Sequence, residues 1–207
     1  MNKKNNLGLD VCFMNEDDPF VVFKEWMSEA EKNEINDPNA VALATVNESN
    51  QPDVRMVLLK EYNKNGFIFF TNLNSKKGTD LKKTPKASMC FHWKSLLRQV
   101  RISGDISLIS DDEADKYFYS RPYLSKIGAW SSSQSKPMET RDALLNKIDE
   151  YKNKFTDQNN VPRPVHWSGF LLSPNKIEFW KDVEGRLHQR LEYSKVSNSW
   201  ERQILYP

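Results

Sequence analysis

The sequence predicts an antiparallel β-barrel with helices packed around it, a mainly β chain of the α+β class. Runs rich in β-branched and aromatic residues predominate, and they arrive in pairs joined by short turn segments. Helical patterns interrupt these pairs without the regular strand–helix alternation of a parallel doubly wound sheet. The 207 residues, 38% of them hydrophobic, are enough for one packed core without disulfides or metals.

The N-terminal part divides at residue 18. Residues 1–17 are mostly polar, and we expect a mobile arm there, followed by a single domain over residues 18–207. A helix is predicted directly after the arm, because Asp18 can cap it and Pro19 fits its first turn. Phe23 and Trp26 then recur at helical spacing, which gives the helix one apolar face.

Strands and one short helix follow up to residue 85. "AVALATVN" predicts the first strand, and "DVRMVLLKEY" and "GFIFFTN" predict a hairpin joined by the turn "NKNG". Ser75 can cap a short helix that must end before Pro85.

The remaining chain continues the pattern of strand pairs and helices. Residues 110–122 predict a helix that Ser110 caps and Pro122 ends, and residues 136–155 predict the longest helix. The predicted strands of this part are 86–93, 98–110, 166–182, 185–193 and 199–207.

Charge and composition exclude several classes of function. The net charge is +2, too small to indicate binding to nucleic acid or to a membrane surface. Cys12 and Cys90 are isolated, and no signal peptide or membrane span is recognisable, so we expect reduced thiols and a cytoplasmic location. The three histidines lack metal-ligand spacing, and no metal site is predicted.

Two stretches in the first half combine cationic or hydroxyl groups with apolar residues. In "RMVLLK", Arg55 and Lys60 are separated by an odd interval, so a regular strand places them on opposite faces. In "FFTNLNSKKG", Thr71 precedes Lys76 and Lys77 at a helix start, a combination that suits a phosphate. A buried strand with charged ends and an ordinary capped basic helix are the alternative interpretations.

Two further stretches lie in the second half. In "YFYSRPYLSKIGAWSSSQS", Tyr117 and Arg121 share a helix face, and the serines are either packed or part of a linker. In "EGRLHQRLE", a strand would place Arg186, His188 and Arg190 on one face, suited either to an anion or to solvent.

The four stretches offer the same chemistry, namely donors for an anion beside aromatic or apolar surface. A flat, phosphorylated cofactor requires that combination. No Ser–His or Cys–His pair has local support, and no clustered carboxylate pair indicates hydrolysis.

Together these segments resemble the pyridoxine/pyridoxamine 5′-phosphate oxidase family. The matching motifs are "DPF", "RMVLLK", "FFTN…SKK", "RQVRISG", "KYFYSRP…S.IGAW…QS", "IEFW" and "RLHQR.EY", in the family's order from about residue 18 to the C-terminal "ILYP". The resemblance implies an antiparallel split β-barrel of the FMN-binding type that forms a homodimer, with FMN at the subunit interface. Opposite faces of "RMVLLK" then need not serve one chain's pocket.

The resemblance also implies roles for individual residues. It implies catalytic roles for Arg186 and His188. The implied substrate-binding residues are Lys60, Tyr117, Arg121, Ser125, Arg186, Leu187 and His188. The implied FMN-binding residues are Arg55, Met56, Val57, Leu58, Leu59, Lys60, Phe70, Thr71, Lys76, Lys77, Gln99, Gln134, Ser135, Trp180 and Arg190. Family members often carry arginine where this chain has Lys76.

The implied reaction is oxidation of pyridoxamine 5′-phosphate and pyridoxine 5′-phosphate by O2 to pyridoxal 5′-phosphate, by hydride transfer from substrate C4′ to flavin N5. Hydrogen peroxide is released, and ammonia follows from the amine. Two alternatives remain open: another split-barrel FMN protein such as a flavin reductase, and a non-enzymatic binding module that uses the lysine-rich helix.

Overall fold

The computed structural model describes residues 3–207. Five helices lie in this part of the chain: α1 (Pro19–Asn33), α2 (Lys76–Lys83), α3 (Asp111–Ser120), α4 (Tyr123–Ser131) and α5 (Arg141–Lys154). The strands are β1 (Ala40–Val46), β2 (Pro52–Leu58), β3 (Glu61–Asn63), β4 (Gly66–Asn72), β5 (Lys86–Trp93), β6 (Arg98–Leu108), β7 (Trp167–Lys181), β8 (Gln189–Val196) and β9 (Ser199–Leu205).

All nine strands of the described chain form one antiparallel sheet. Its order is β2-β1-β5-β6-β7-β4-β3, and β8 and β9 extend from the far end of β7. β2 and β3 stand at opposite ends of this order, yet only Leu59 and Lys60 separate them in sequence. The sheet must therefore curl until its two edges meet, which makes a barrel.

Alternation along the strands places the core inside this barrel. On β5, Met89, Phe91 and Trp93 are buried, whereas the intervening side chains face outward. α1 packs on the barrel because its apolar face carries Phe23, whose ring makes edge contacts with Phe67 and Phe91. Between Ser103 and Gly104 of β6 the register shifts and leaves Asn175 of β7 without a partner, a bulge that bends the long strand β7.

A second, smaller apolar cluster lies outside the barrel. It contains Phe118 of α3, Val161 from the segment before β7, and Trp167 at the start of β7. Phe70 and Tyr117 pack against this cluster. A capping box between Ser110 and Glu113 fixes the start of α3. The cluster therefore holds α3 and α4 against the ends of β4 and β7, and this junction forms the candidate site.

Most predicted elements are confirmed, but several differ, among them the strand predicted over residues 185–193, which begins only at Gln189. The strand predicted over residues 53–62 is two strands, because β2 pairs with β1 whereas β3 pairs with β4 at the closure of the barrel. Residues 123–131, which the sequence left open, form α4. The predicted longest helix begins at Arg141, after its cap Thr140, and is one residue shorter than α1.

The N-terminal segment also needs correction. Residues 1 and 2 of the predicted mobile arm lie outside the described residues, and residues 3–17 pack on the barrel. Leu9 and Phe13 are buried in the main core, and Asp10 forms an ion pair of 2.6 Å with Lys181. The packed part of the described chain therefore begins well before the predicted domain boundary at residue 18.

No helix in the described residues is long and apolar enough to cross a membrane. Residues 3–207 contain no group of three or more His, Cys, Asp or Glu side chains that could hold a metal ion.

Candidate active site

A cavity of about 450 Å³ opens between the ends of β2 and β4 and the helices α2, α3 and α4. Substrate and cofactor residues predicted from three separate sequence stretches meet in it. The predicted residues that line it are Met56, Val57, Leu58, Lys60, Phe70, Thr71, Lys77, Tyr117, Arg121, Ser125 and Gln134.

The first cationic group of the cavity stands at the start of α2. Ser75 caps this helix by accepting a hydrogen bond from the Gly78 N–H, and the N–H groups of the first two helical residues have no intrahelical partner. Lys77 is buried, and its Nζ lies 3.2 Å from Thr71 Oγ1 and 3.2 Å from Gln134 Oε1. Burial lowers the pKa of Lys77, and the positive charge of Arg55 adds to this effect.

Lys77 forms no ion pair with a carboxylate of residues 3–207. A buried ammonium with a hydroxyl, an amide and free backbone N–H groups beside it is a donor set for a phosphate dianion. The donor set therefore fits the phosphate of the FMN that the sequence leads us to expect.

The second cationic group stands at the end of α3, where Arg121 is the C-cap. Its guanidinium lies over the Trp167 ring, 4.6 Å from the ring centroid, and its Nη1 is buried without a hydrogen-bond partner in the described chain. Burial lowers the pKa of Arg121, opposed by the nearby Tyr117. An unpaired buried donor is costly, so this nitrogen is available for an anionic ligand.

Aromatic rings form the wall between the two cationic groups. Phe70 stacks on Tyr117 with 4.0 Å between ring centroids, and the nearly parallel Trp167 ring lies 5.2 Å from that of Phe70 and 6.1 Å from that of Tyr117. Tyr117 and Arg121 both face the cavity, as their spacing of four residues predicts. The site thus combines two separated anion-binding groups with flat apolar surface, which suits two phosphorylated planar molecules.

Seven residues predicted to contact FMN do not line this cavity, and three of them, Arg55, Leu59 and Lys76, come before residue 80. Lys76 Nζ lies 3.1 Å from both Asp53 and Asp80, and Arg55 lies 2.6 Å from Asp53, so these two cations are already paired. Leu59 is buried in the main core, since it follows β2 at the closure of the barrel.

The structure explains the odd interval between Arg55 and Lys60, which would place them on opposite faces of one regular strand. Arg55 belongs to β2, but Lys60 comes after that strand has ended, in the two-residue connection to β3. The Lys60 N–H donates to Ile68 O on β4, which aligns the residue with the other edge of the barrel. The alternation of side chains along β2 therefore does not extend to Lys60.

A second group of predicted residues lies elsewhere on the sheet. Gln99, Trp180 and Arg190 are direct neighbours across β6, β7 and β8, and the His188 ring lies 4.7 Å from that of Trp180. None of them lines the cavity. Phe70 at the cavity pairs with Gly169, and Trp180 comes eleven residues later, roughly 35 Å further along β7.

The strand predicted over "GRLHQRLEY" is wrong at its beginning. Glu184–Arg186 form a single 3₁₀ turn, with φ of 70° at Gly185 and 61° at Arg186, and β8 begins only at Gln189. Left-handed backbone breaks the alternation of a strand, so Arg186 and His188 do not share a strand face with Arg190.

Other members of this second group have specific surroundings. Arg190 Nε lies 2.8 Å from the buried carboxylate of Glu178, while Leu187 is 69% exposed. Ser135, with φ of 69°, does not line the main cavity either; it lines a separate one beside α5.

Sequence reasoning missed five residues that line the main cavity: Asn72, Gly128, Ala129, Ser132 and Trp167. Ser125, Gly128, Ala129 and Ser132 recur at helical spacing, which could have shown that this serine-rich stretch has one face of a helix turned to the site.

Two family models match this chain. The model described as "Pyridoxamine 5′-phosphate oxidase" matches residues 27–155, and the one described as "Pyridoxine 5′-phosphate oxidase C-terminal dimerisation region" matches residues 167–207. The pyridoxine/pyridoxamine 5′-phosphate oxidase of Pelagibacter ubique is 57% identical over the full length of both chains. That of Allorhizobium ampelinum is 51% identical over 94% of this chain and 95% of its own.

Solved structures show the same fold. PhzG from Burkholderia lata 383, in complex with tetrahydrophenazine-1-carboxylic acid, is similar with a TM-score of 0.89 and 29% identity, over 95% of this chain and 96% of its own. A pyridoxamine 5′-phosphate oxidase-related, FMN binding protein from Nostoc punctiforme is similar with a TM-score of 0.74 and 16% identity, over 92% of this chain and 98% of its own. The predicted antiparallel split barrel is thereby confirmed.

Proposed function

This chain belongs to the pyridoxine/pyridoxamine 5′-phosphate oxidase family, and from that premise we infer how its own residues serve the reaction. It is an FMN-dependent oxidoreductase of vitamin B6 metabolism that oxidises pyridoxamine 5′-phosphate and pyridoxine 5′-phosphate to pyridoxal 5′-phosphate. The observation that carries the assignment of the site is that two cationic groups from different helices, Lys77 of α2 and Arg121 at the end of α3, line one cavity.

We assign the Lys77 end to the FMN phosphate. Lys77, the Thr71 hydroxyl and the free N–H groups of α2 offer it a compact set of donors. Gln134 accepts from Lys77 in this structure and keeps its amide N–H₂ as a further donor. The end of β2, Met56–Leu58, offers backbone groups and apolar side chains to the isoalloxazine ring.

We assign the Arg121 end to the substrate phosphate. Arg121 offers an unpaired donor, and Lys60, Ser125 and Tyr117 line the same cavity. Arginine suits a phosphate because its planar fork can bind two oxygens at once. A flavin reductase would not need these four groups together, so they favour the phosphorylated vitamin as substrate.

FMN, held at the Lys77 end of the cavity, would supply the redox chemistry, namely acceptance of a hydride from substrate C4′ and transfer of the electrons to O2 as hydrogen peroxide; with the amine, addition of water to the oxidised substrate would release ammonia. The protein's contribution is to hold both molecules in register and to exclude water. Arg186 and His188 position the substrate ring and stabilise the charge that develops on it. Accordingly, we expect Arg186→Ala to lose much more turnover than FMN affinity.

The second group of residues completes the site from a partner subunit. Trp180 lies far along β7 from the cavity of its own chain, and Arg186, His188 and Arg190 follow it in the β7–β8 loop and in β8, all within the region that matches a dimerisation region. Val54, Met56 and Leu58 also form an exposed apolar stripe on the edge strand β2, next to the cavity. A homodimer would cover this stripe and bring each chain's residues 180–190 to the other's cavity.

The decisive experiment on function is anaerobic addition of pyridoxine 5′-phosphate to the FMN-loaded protein. Bleaching of the visible flavin band, with formation of pyridoxal 5′-phosphate, is the expected result. A protein that stays colourless with added FMN would point to the binding module, and a yellow protein that only reduced pyridine nucleotide bleaches would point to a flavin reductase.

The shared site is tested by mixing two variants, Arg121→Met and His188→Ala. Each homodimer carries the same defect in both sites, but a hybrid dimer has one site with both residues intact. We expect activity to recover when the two proteins are denatured and refolded together, and not when two preparations of the same variant are mixed. Absence of recovery, with hybrid dimers detected by native mass spectrometry, would contradict the partner assignment.

A further inference from the structure

The segment before α1 contacts the base of the loop between β7 and β8. Lys181 ends β7, Gln189 begins β8, and the two are partners in the last strand pair before the loop. Asp10 contacts both: its Oδ2 accepts a hydrogen bond of 2.6 Å from Lys181 Nζ, and its backbone N–H donates to Gln189 Oε1 at 2.7 Å. One residue of the N-terminal segment therefore holds the two strands where the loop begins and ends.

Asp10 itself is fixed by its neighbours in sequence. Leu9 and Phe13 are buried in the main core, and the Phe13 ring meets the Trp26 ring of α1 edge-on, with 5.4 Å between centroids. Trp26 Nε1 donates to Cys12 O at 2.7 Å, and Asp10 Oδ1 accepts from the Cys12 N–H at 3.0 Å. The segment is thereby bound to the barrel and to α1 on both sides of Asp10.

The loop, by contrast, has little support of its own. None of residues 182–188 is buried. Gly185 and Arg186 have φ of 70° and 61°, and left-handed backbone at a residue with a side chain persists only where the surrounding structure imposes it. The Asp182 N–H donates to Leu97 O at 2.9 Å, again at the base of the loop. The course of the loop therefore depends on how its base is held.

We propose that the N-terminal segment supports the β7–β8 loop, and that Asp10 is a positioning residue for Arg186 and His188, which that loop carries. The inference rests on the proposed function, in which each chain contributes this loop to its partner's cavity. Residues 3–17 lie outside both stretches that the family models match, so the family match does not describe this contact. Displacement of reacting groups by about 1 Å can cost about 100-fold in rate, so a loosened base should lower turnover.

Cofactor binding should change less than turnover. Trp180 and Arg190, the predicted flavin contacts of this region, lie within the ladder of β7 and β8, where they pair with each other. Arg190 is also held there by Glu178, through a hydrogen bond of 2.8 Å. Loss of the Asp10 contact leaves these interactions in place, whereas the loop residues lie beyond the last strand pair.

The test compares Asp10→Asn with Tyr193→Phe. Because Asp10 Oδ1 accepts from the Cys12 N–H, an asparagine that keeps this bond turns its amide N–H₂ towards Lys181 Nζ, and two donors then face each other. Tyr193 is the matched control, since its hydroxyl donates to Glu16 O at 2.8 Å and so holds the same N-terminal segment away from the loop. We expect Asp10→Asn to lower kcat about 10- to 100-fold, with FMN affinity and the kcat of Tyr193→Phe within about twofold of the wild type.

Amide hydrogen exchange of the unliganded protein gives a readout that does not depend on turnover. Loss of a hydrogen bond between charged groups changes an opening equilibrium by roughly tenfold or more. The Asp182 amide, which Leu97 O protects, should therefore exchange roughly tenfold faster in Asp10→Asn than in Tyr193→Phe. The amides of β9 serve as the reference and should exchange at the same rate in both variants.

Refolding with a second variant shows which site of the dimer Asp10 serves. Asp10→Asn should regain activity when it is denatured and refolded together with Arg121→Met, since one site of each hybrid dimer then has an intact cavity and an intact loop. Refolding with His188→Ala should give no gain, because both variants damage the loop. A residue that served the cavity of its own chain would give the opposite pattern.

Each of three results would overturn the inference: equal exchange of the Asp182 amide in Asp10→Asn and Tyr193→Phe, a kcat of Asp10→Asn within about twofold of that of Tyr193→Phe, or no recovery with Arg121→Met. If the wild type itself oxidises neither phosphorylated substrate, the proposed function has failed. Hydrogen exchange then still decides whether Asp10 supports the loop, so the two failures are distinguishable.

Discussion

Replacing Arg121 by methionine should separate ligand binding from folding. The guanidinium lies over Trp167 and keeps a buried Nη1 without a partner in the described chain. A residue retained for stability would have its donors satisfied, whereas one retained for a ligand leaves a donor open. Arg121→Met keeps an unbranched side chain of similar length against Trp167 and removes only the charge and the donors.

The expected effects of Arg121→Met on substrate affinity and on folding stability differ in size. A hydrogen bond to a charged group contributes about 1.5–3 kcal/mol, which corresponds to a loss of roughly 10- to 150-fold in substrate affinity. For the free energy of unfolding, loss of the cation–π contact costs about 0.5–1 kcal/mol. Removal of the unsatisfied donor stabilises the fold by about 1 kcal/mol, at the low end of the range because Arg121 is only half-buried. The free energy of unfolding should therefore stay within about 1 kcal/mol of the wild type, or about 4 °C in Tm.

The assay measures kcat/KM for pyridoxamine 5′-phosphate and for pyridoxamine, and urea denaturation of the unliganded protein. The loss of kcat/KM caused by Arg121→Met should nearly vanish for pyridoxamine. This substrate lacks the phosphate, so the substitution and the change of substrate remove the same interaction. Arg141→Met is the matched control, since Arg141 is exposed at the start of α5. An equal penalty on both substrates, or a loss of more than about 2 kcal/mol of stability with unchanged KM, would refute the assignment of Arg121 to the phosphate.

Two other variants test separate parts of the structure. Lys77→Met should weaken FMN binding by roughly 10- to 150-fold in fluorescence titrations. Lys76→Met should weaken it less than about threefold, because its ammonium is held by two carboxylates; equal losses would show that both lysines bind the phosphate. At Asp10, burial by itself raises the pKa, but the ion pair with Lys181 outweighs it and the pKa is lowered. Asp10→Asn should therefore cost about 2 kcal/mol of stability at pH 7, and the difference should shrink as the pH falls below the ordinary carboxyl value of 3.8; a constant difference down to pH 2 would contradict this.

The sequence predicted most of the fold where one local rule decides the structure. The run of residues 86–93 predicted the strand β5, "NKNG" predicted the hairpin of β3 and β4, and Ser75 and Ser110 predicted two helix starts. At these positions, period, turn chemistry and capping agree with the tertiary packing, so a local pattern is sufficient.

Prediction failed where distant contacts decide the structure. Leu9 and Phe13 show no periodicity, and their burial depends on the barrel and on the Asp10–Lys181 pair far along the chain. At Gly185, the alternation of "RLHQR" imitates a strand, but the left-handed backbone and the contact of Asp182 with His188 favour a turn. Nothing in the local sequence distinguishes these two interpretations.

The candidate site shows the same division. Motif order selected candidate residues for the site, but it does not say which of them meet within one chain. Phe70 pairs with Gly169 of β7, whereas Trp180 belongs to β7 itself and comes eleven residues after Gly169. In the proposed dimer, the sequence contains the residues of both halves of the site without recording the symmetry operation between them.

This separation makes association a condition of catalysis in the proposed dimer. If the cavity of one chain is completed only by residues 180–190 of the other, the number of complete sites equals the number of paired chains. Turnover per chain should then fall on dilution below the dimer dissociation constant, and ligands that bind across the interface should oppose that fall because they stabilise the associated state. FMN and substrate are placed to do so, since each would touch the cavity of one chain and the β7–β8 loop of the other.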